Sequence, residues 1–273
     1  MADLLNDVLR FFQENLFQDT ITLYTTLLVV VSAFILIGLE RLYPYTKGQK
    51  FFREGFFNDF VLYTLAQSYI LGVAFSLLVD FVDQHTGLHR MQLLADIPVW
   101  VLVLISLFVH DFYIYWFHRW MHNNIWLWRL HEAHHSTKEI DWLSGSRSHA
   151  LEILINQTVE FGWLALLGAP AEVLVIKGAI SAVWGMWIHS NIDVNTGALQ
   201  YIINGPEMHR WHHSDRHEEA YNMNFATKFA FWDWMFRTAY LPKREKPQYY
   251  GIGDDFPKSF VKQFFFAFRK MEQ

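Results

Sequence analysis

Two stretches of this chain run without a charge for long enough to cross a lipid bilayer, and this limits the available folds more than any other feature. Ile21 to Leu39 spans 19 residues, and Phe60 to Val79 spans 20 more between Asp59 and Asp80. A helix of that length covers about 30 Å, the thickness of the hydrocarbon core. In lipid every backbone polar group must find its partner within the segment, so both stretches are expected to be helices. Composition agrees: 52% of residues are hydrophobic and 18% charged, where soluble domains carry roughly a quarter charged residues.

Two further regions extend the pattern. Ile97 to Phe117 is apolar but interrupted by His110 and Asp111. Leu151 to Ile188 contains the turn Gly168-Ala169-Pro170 and reads as a helical hairpin, with Asn156, Gln157 and Glu160 on its first leg and Glu172 and Lys177 on its second. The expected fold is therefore all-α: an integral membrane protein of about four transmembrane helices. These are two plain spans, a histidine-bearing third helix and the hairpin, beneath a cytosolic histidine-rich cap. We expect one membrane-embedded domain over residues 1–273, with the chemistry in 111–240. Before Ile21, Leu4, Leu5, Val8, Phe11 and Phe12 share one side of a short helix, interfacial or packed. Asp3 and Asp7 stand where a cleavable signal peptide would be basic. The absence of cysteine excludes disulfides and thiolate ligands, and a net charge of −5 gives no reason to expect nucleic acid.

Loop charge sets the orientation. The segment from Glu40 to Asp59 carries Arg41, Lys47, Lys50 and Arg53 and is expected in the cytoplasm; Asp80 to Asp96, with one arginine and three aspartates, is expected opposite. The third helix then returns to the cytoplasmic side where Arg119, Arg129, Lys138 and Arg147 begin. The hairpin returns there too, before Arg210, Arg216, Lys228 and Arg237. Every dense histidine segment lands on that face, of either a bacterial inner membrane or an endoplasmic reticulum.

Those segments carry the chemistry. Among 14 histidines, His118 and His122 form H-x3-H; His131, His134 and His135 form H-x2-H-H; His209, His212 and His213 repeat it; His189 ends the hairpin. Roughly 0.04 chance matches to H-x2-H-H are expected at this histidine frequency, so finding two marks a site. On a helix, residues three and four apart share a face, whereas neighbours diverge by about 100° and naturally serve different ions. Eight box histidines plus His189 exceed what one ion accepts, so two metal ions are expected. Imidazole suits iron, zinc, copper or nickel rather than magnesium or calcium.

Asp111, Tyr115, His118 and His122 form one helical stripe. A carboxylate within an apolar span is costly. Asp111 with Tyr115 is accordingly expected to hold a ligand imidazole by its ring N–H, the alternative being a structural bond to Arg119 or a neighbouring helix. His110 points about 80° from His118 and reads as a core histidine. His149 and Glu152, three apart, would add a ligand, orient one, or anchor the hairpin. His217 is expected at the entrance. Phe231 to Phe236 reads as an aromatic belt or a lid.

The order of these motifs resembles the fatty acid hydroxylase/sterol desaturase superfamily of membrane di-metal oxygenases. Asp111-x3-Tyr115-Trp-Phe-His118-Arg119, Trp187-Ile188-His189 and Trp211-His212-His213 carry the likeness, which covers roughly Asp111 to Tyr240. The Trp-Ile-His segment and its distance to the last box are most similar to the alkylglycerol monooxygenases. The resemblance implies two iron ions held by His118, His122, His131, His134, His135, His189, His209, His212 and His213. It also implies O2, an external electron donor, and hydroxylation or desaturation of a lipid such as a fatty acyl chain, sterol or alkyl glycerol ether. The chain departs from some members in having Gly185 where they carry a further histidine, and from the alkylglycerol enzymes in lacking a glutamate near Asn191. Asp193, Glu152, water or substrate is then expected to complete a metal's ligand set.

Two other classes use such ligands. A zinc-dependent membrane hydrolase would activate water with them, and zinc also replaces iron in an oxygenase. A metal carrier or sensor would need polar residues continuing across the bilayer, and residues 21–39 and 60–79 supply none of that kind.

Overall fold

A computed structural model of the chain describes residues 19–215, 220, 222–242, 245–247, 249–253 and 255–270. The amphipathic segment before Ile21 and His217 lie outside the described residues. Nine helices are described, with no strand among them: α1 (Thr20–Leu42), α2 (Asn58–Thr86), α3 (Val99–Asn123), α4 (Ile125–His135), α5 (Ala150–Leu166), α6 (Ala171–His189), α7 (Pro206–His212), α8 (Phe231–Met235) and α9 (Phe260–Phe266). Four of them, α1, α2, α3 and α6, are long and apolar enough to cross a membrane. Helix α1 packs mainly on α6, α2 on α5, and α3 on α4 and α6. The outer face of α1 leaves Leu28, Val31, Phe34 and Ile35 exposed, Phe34 by 70%. An apolar surface of that extent needs lipid to cover it, and the protein is a multi-pass membrane protein.

The start of each helix is set locally. Asp19 caps α1 by accepting from the Thr22 backbone and hydroxyl, both at 2.7 Å. The first ten residues of α2, Asn58–Gln67, wind as a π-helix, a rare form that tends to occur at functional sites. It brings Gln67 to the Ser148 carbonyl, 2.9 Å away. α5 and α6 are the two legs of the expected hairpin, and contacts at its turn fix its depth. Leu94 N, in the segment joining α2 to α3, donates to Leu167 O at 3.0 Å, and His89 Nδ1 donates to Ala165 O at 2.9 Å. The hairpin turn therefore reaches the far end of the α2–α3 pair, opposite the histidines. Leu102, Val103, Leu107, Leu164 and Val173 form the core at that end.

At the histidine end, buried charge takes over from apolar packing. Glu40, near the end of α1, accepts from Trp142 N at 2.7 Å and Asn191 N at 2.8 Å. Asp59, at the start of α2, is fully buried and accepts from Arg147 Nε at 2.7 Å and from Arg53 Nη1 at 2.8 Å. Arg53 also forms a two-pronged pair with Asp141, both bonds at 2.8 Å. Gly55, with φ at +81°, passes so close to the Arg147 guanidinium that a Cβ would collide with it.

Removing one member of such a network leaves the others charged and buried, a loss of about 3–5 kcal/mol. Asp59→Ala is expected to lower the thermal unfolding temperature in detergent well below that of an exposed-charge control such as Asp80→Ala. Equal melting of the two variants would contradict this account.

Candidate metal centre

The last two turns of α3 deliver His118 and His122. Asn124 then accepts from Trp126 N and Leu127 N at 3.0 and 3.2 Å, stopping α3 and starting α4 at a new angle. α4 presents His131, His134 and His135; α6 ends at His189; α7, opened by Gly205 and Pro206, presents His209 and His212, with His213 as its cap. All nine are buried, none more than 7% exposed.

They converge in two groups. His118, His122, His131, His135 and His212 form one; His134, His189, His209 and His213 form the other, with candidate ligand atoms in each within 4.8 Å of one another. Each H-x2-H-H box is divided the same way. Its outer pair, four residues apart, joins one group and its middle histidine joins the other. The two groups touch, with the His135 and His213 rings stacked at 4.5 Å between centroids.

Hydrogen bonds on the far side of five rings decide which nitrogen faces inward. Nδ1–H donates from His118 to Phe225 O at 2.8 Å, from His134 to Arg147 O at 3.0 Å, from His189 to Gly185 O at 2.8 Å, and from His212 to Met223 O at 2.8 Å. His131 Nδ1 meets Glu152 Oε1 at 3.0 Å. Each bond leaves the Nε2 lone pair pointing into its group. There, His118 and His131 Nε2 approach to 3.0 Å and His209 and His189 Nε2 to 2.9 Å. His135 Nε2 and His212 Nε2 are buried with no hydrogen-bond partner. Lone pairs facing each other at these distances, with others left unmatched, fit two metal ions. Burial holds His131, His135, His209, His212 and His213 well below the ordinary imidazole pKa and takes His134 down to about 4. They are therefore neutral, the form that binds a metal. Burial also pushes Glu152 up to about 8, and a cation on His131 would draw it back to the carboxylate.

The other expected site residues divide. Asp111 holds no imidazole and does not pair with Arg119. Its oxygens accept from Thr227 Oγ1 at 2.7 Å and from Lys228 N and Phe229 N at 2.8 Å. It clamps the strap that follows the last box, because three donors of that strap converge where the α3 stripe faces it. Tyr115 likewise touches no ligand ring; its hydroxyl bonds Thr238 at 2.8 Å and accepts from Arg119 at 3.3 Å. Asp233, on α8, takes the next strap amides, Phe225 N and Ala226 N, at 2.8 and 2.9 Å. The strap in turn supplies the carbonyls that orient His118 and His212. Asp111 thus acts on the imidazoles at one remove.

His149 stays outside both groups, capping α5 at Leu151 N and bonding Phe264 O at 3.1 Å. Of the 149/152 pair, the former anchors and the latter orients. Asn191 bonds the backbone of Thr46, and Asp193 is half-exposed on Lys246 at 2.6 Å. The expected completion of the ligand set by Asp193 is not made, because that side chain leaves the site for the surface. His110 lies 3.4 Å from Glu160. Residues 231–236 pack on α3, with Trp232 against Phe112 at 4.9 Å. Gly145 was not legible as a site residue. A Cβ there would lie 2.6 Å from His189 Nδ1, so only glycine lets the 144–146 turn back that ring.

A cavity of 200 Å³ between α3, α5 and α6 opens onto both groups. The fold and this centre define a multi-pass membrane protein built to hold two metal ions side by side. Residues 103–238 match the fatty acid hydroxylase family. An ornithine lipid hydroxylase from Rhizobium tropici is 33% identical over 244 residues, covering 86% of this chain and 73% of that one. Alkylglycerol monooxygenase from Xenopus tropicalis is 31% identical over 139 residues, 51% of this chain and 30% of its own length. Methylsterol monooxygenase 1-3 from Arabidopsis thaliana is 29% identical over 175 residues, 59% of this chain and 54% of its own. No solved structure matches the chain. The chain belongs to the fatty acid hydroxylase family.

Gly145→Ala is expected to displace His189 and reduce bound metal from two ions toward one per chain, measured by elemental analysis. Glu152→Gln should weaken metal retention about 10- to 100-fold against a chelator.

Proposed function

We propose that this protein is a membrane di-iron oxygenase that hydroxylates a lipid with O2. The observation that carries the reading is the pair of adjoining histidine groups, five and four strong, set beside a cavity among apolar helices. The nine histidines of those groups are the ligands. Family membership favours iron over the other metals that imidazole suits, and the relatives' names, hydroxylase and monooxygenase, favour hydroxylation over desaturation.

Iron bound here would supply reductive cleavage of dioxygen and hydrogen abstraction from carbon. One oxygen atom enters the lipid and the other leaves as water, with two electrons and two protons from an external reductant. The chain's own residues do the positioning. Phe225, Arg147, Gly185 and Met223 carbonyls and the Glu152 carboxylate hold the Nδ1 protons of His118, His134, His189, His212 and His131, so that these five rings keep their orientation as charge changes inside. Asp111 and Asp233 hold the strap that carries two of those carbonyls. Burial excludes water, which protects an oxidant from being quenched.

Lipid as substrate class is supported by the names of the relatives, which act on ornithine lipid, alkylglycerol and methylsterol. The ornithine lipid hydroxylase, matched over 86% of this chain, makes an ornithine-type lipid the first substrate to try. The basic residues Arg41, Lys47, Lys50 and Arg53 favour a cytoplasmic site. One domain over 1–273, with its chemistry in 111–240, is the organisation this reading assumes.

The test uses anaerobically purified, iron-loaded protein with a reductant and a bacterial lipid extract. Lipid-dependent oxygen uptake, a product heavier by one oxygen atom, and loss of both in His134→Ala are expected. Tightly held zinc with lipid cleavage and no oxygen uptake would overturn the reading in favour of a hydrolase.

A further inference from the structure

The cavity beside the metal centre is apolar on one wall, through Ile114, Met121, Ile153 and Ile188, and carries hydrogen-bond donors on another. Lys228 lines it, is 6% exposed, and among the described residues makes no ion pair and bonds only through its backbone. Trp184 lines it too, and its Nε1 is buried without an acceptor. The neighbouring charges are already matched. Lys177, fully buried, pairs with Glu160, which also accepts from Ser181 at 3.1 Å. Glu152, the one carboxylate on the cavity wall among the described residues, engages His131. A buried lysine on the cavity wall, beside a tryptophan whose N–H has no acceptor, calls for an acceptor that bears negative charge.

We propose that Lys228, with Trp184, binds an anionic group of the lipid substrate, a carboxylate or a phosphate, inside the metal-lined cavity. This rests on the lipid-hydroxylase reading and narrows it. At 200 Å³ the space falls below the roughly 300–1,000 Å³ that encloses a whole drug-sized ligand, so only a short part of a lipid enters. The anionic group and the oxidised carbon must share it, and hydroxylation falls within a few bonds of that group. Gly185 contributes to the room: no atom lies within 4 Å of where its Cβ would be, and any side chain there would project beside His189.

The test measures binding without turnover, on zinc-loaded full-length protein in detergent. The probes are a short-chain fatty acid, a short-chain phosphatidic acid and a short-chain diacylglycerol. At least one anionic probe is expected to bind about tenfold or more tightly than diacylglycerol, as a charged hydrogen bond in a buried site would give. Lys228→Met should abolish that preference at unchanged metal content, Lys228→Arg should keep it, and Trp184→Phe should weaken it. Which anion binds separates carboxylate from phosphate recognition. Equal binding of anionic and neutral probes, or an undiminished preference in Lys228→Met, would overturn the proposal. Should Lys228→Met not hold metal, the Lys228→Arg and Trp184→Phe pair still decides. Failure of the oxygenase reading would appear separately, as no lipid-dependent oxygen uptake by the iron-loaded wild type.

Discussion

Nine imidazoles buried against one another are an unstable arrangement unless each is held neutral and aimed, and much of the fold serves that requirement. An imidazole has two ring nitrogens, and a metal uses one. The other must find an acceptor away from water, or the ring turns. The acceptors come from three directions: the Glu152 side chain on α5, carbonyls of the Arg147 segment and of α6, and carbonyls of the strap at 223–225. None lies on α4, although that helix carries more of the histidines than any other. Only at His189 does a carbonyl of the ring's own helix, Gly185 O, serve as the acceptor among these bonds.

Holding those acceptors in place takes a second set of interactions. The Arg53–Asp59–Asp141–Arg147 network ties the start of α2 to the turn that backs His134 and His189. Asp111 and Asp233 divide the strap amides between them. The carboxylates and guanidinium groups of these two sets are matched and hydrogen-bonded, the condition under which burial of charge is tolerable. The hydrophobic clusters at the same end are largely aromatic, with Phe117 beside Ile114 and Met121 in one and Tyr115, Phe225 and Trp232 in the other, where the hairpin turn has an aliphatic core. Polar networks fix geometry more tightly than aliphatic packing, and a metal pair needs geometry more than it needs affinity.

The bilayer supplies what the charged end does not. α1 contributes little to the buried core, and its exposed leucines, valines and phenylalanine are covered by lipid. This leaves α3, α5 and α6 around a cavity with one apolar wall and another lined by histidines of both groups.

Membrane spans and the histidine groups were legible because each is a local pattern. A charge-free run of 19 residues has only one stable form in lipid, and histidines spaced three and four apart meet on a helix wherever it packs. The division of adjacent histidines between two groups follows from the same helical angle, and the structure has that division. What only the tertiary structure decided depends on contacts between distant segments. Asp111 looked like a partner for an imidazole because both lie on one stripe, but helical spacing cannot reveal that three strap donors, over a hundred residues later, reach it first. Gly145, Arg147 and Asp233 sit in no motif, and Asp193 sits near one yet turns to the surface. Sequence periodicity records which residues share a face; which face meets which is settled when buried polar groups find partners across the fold.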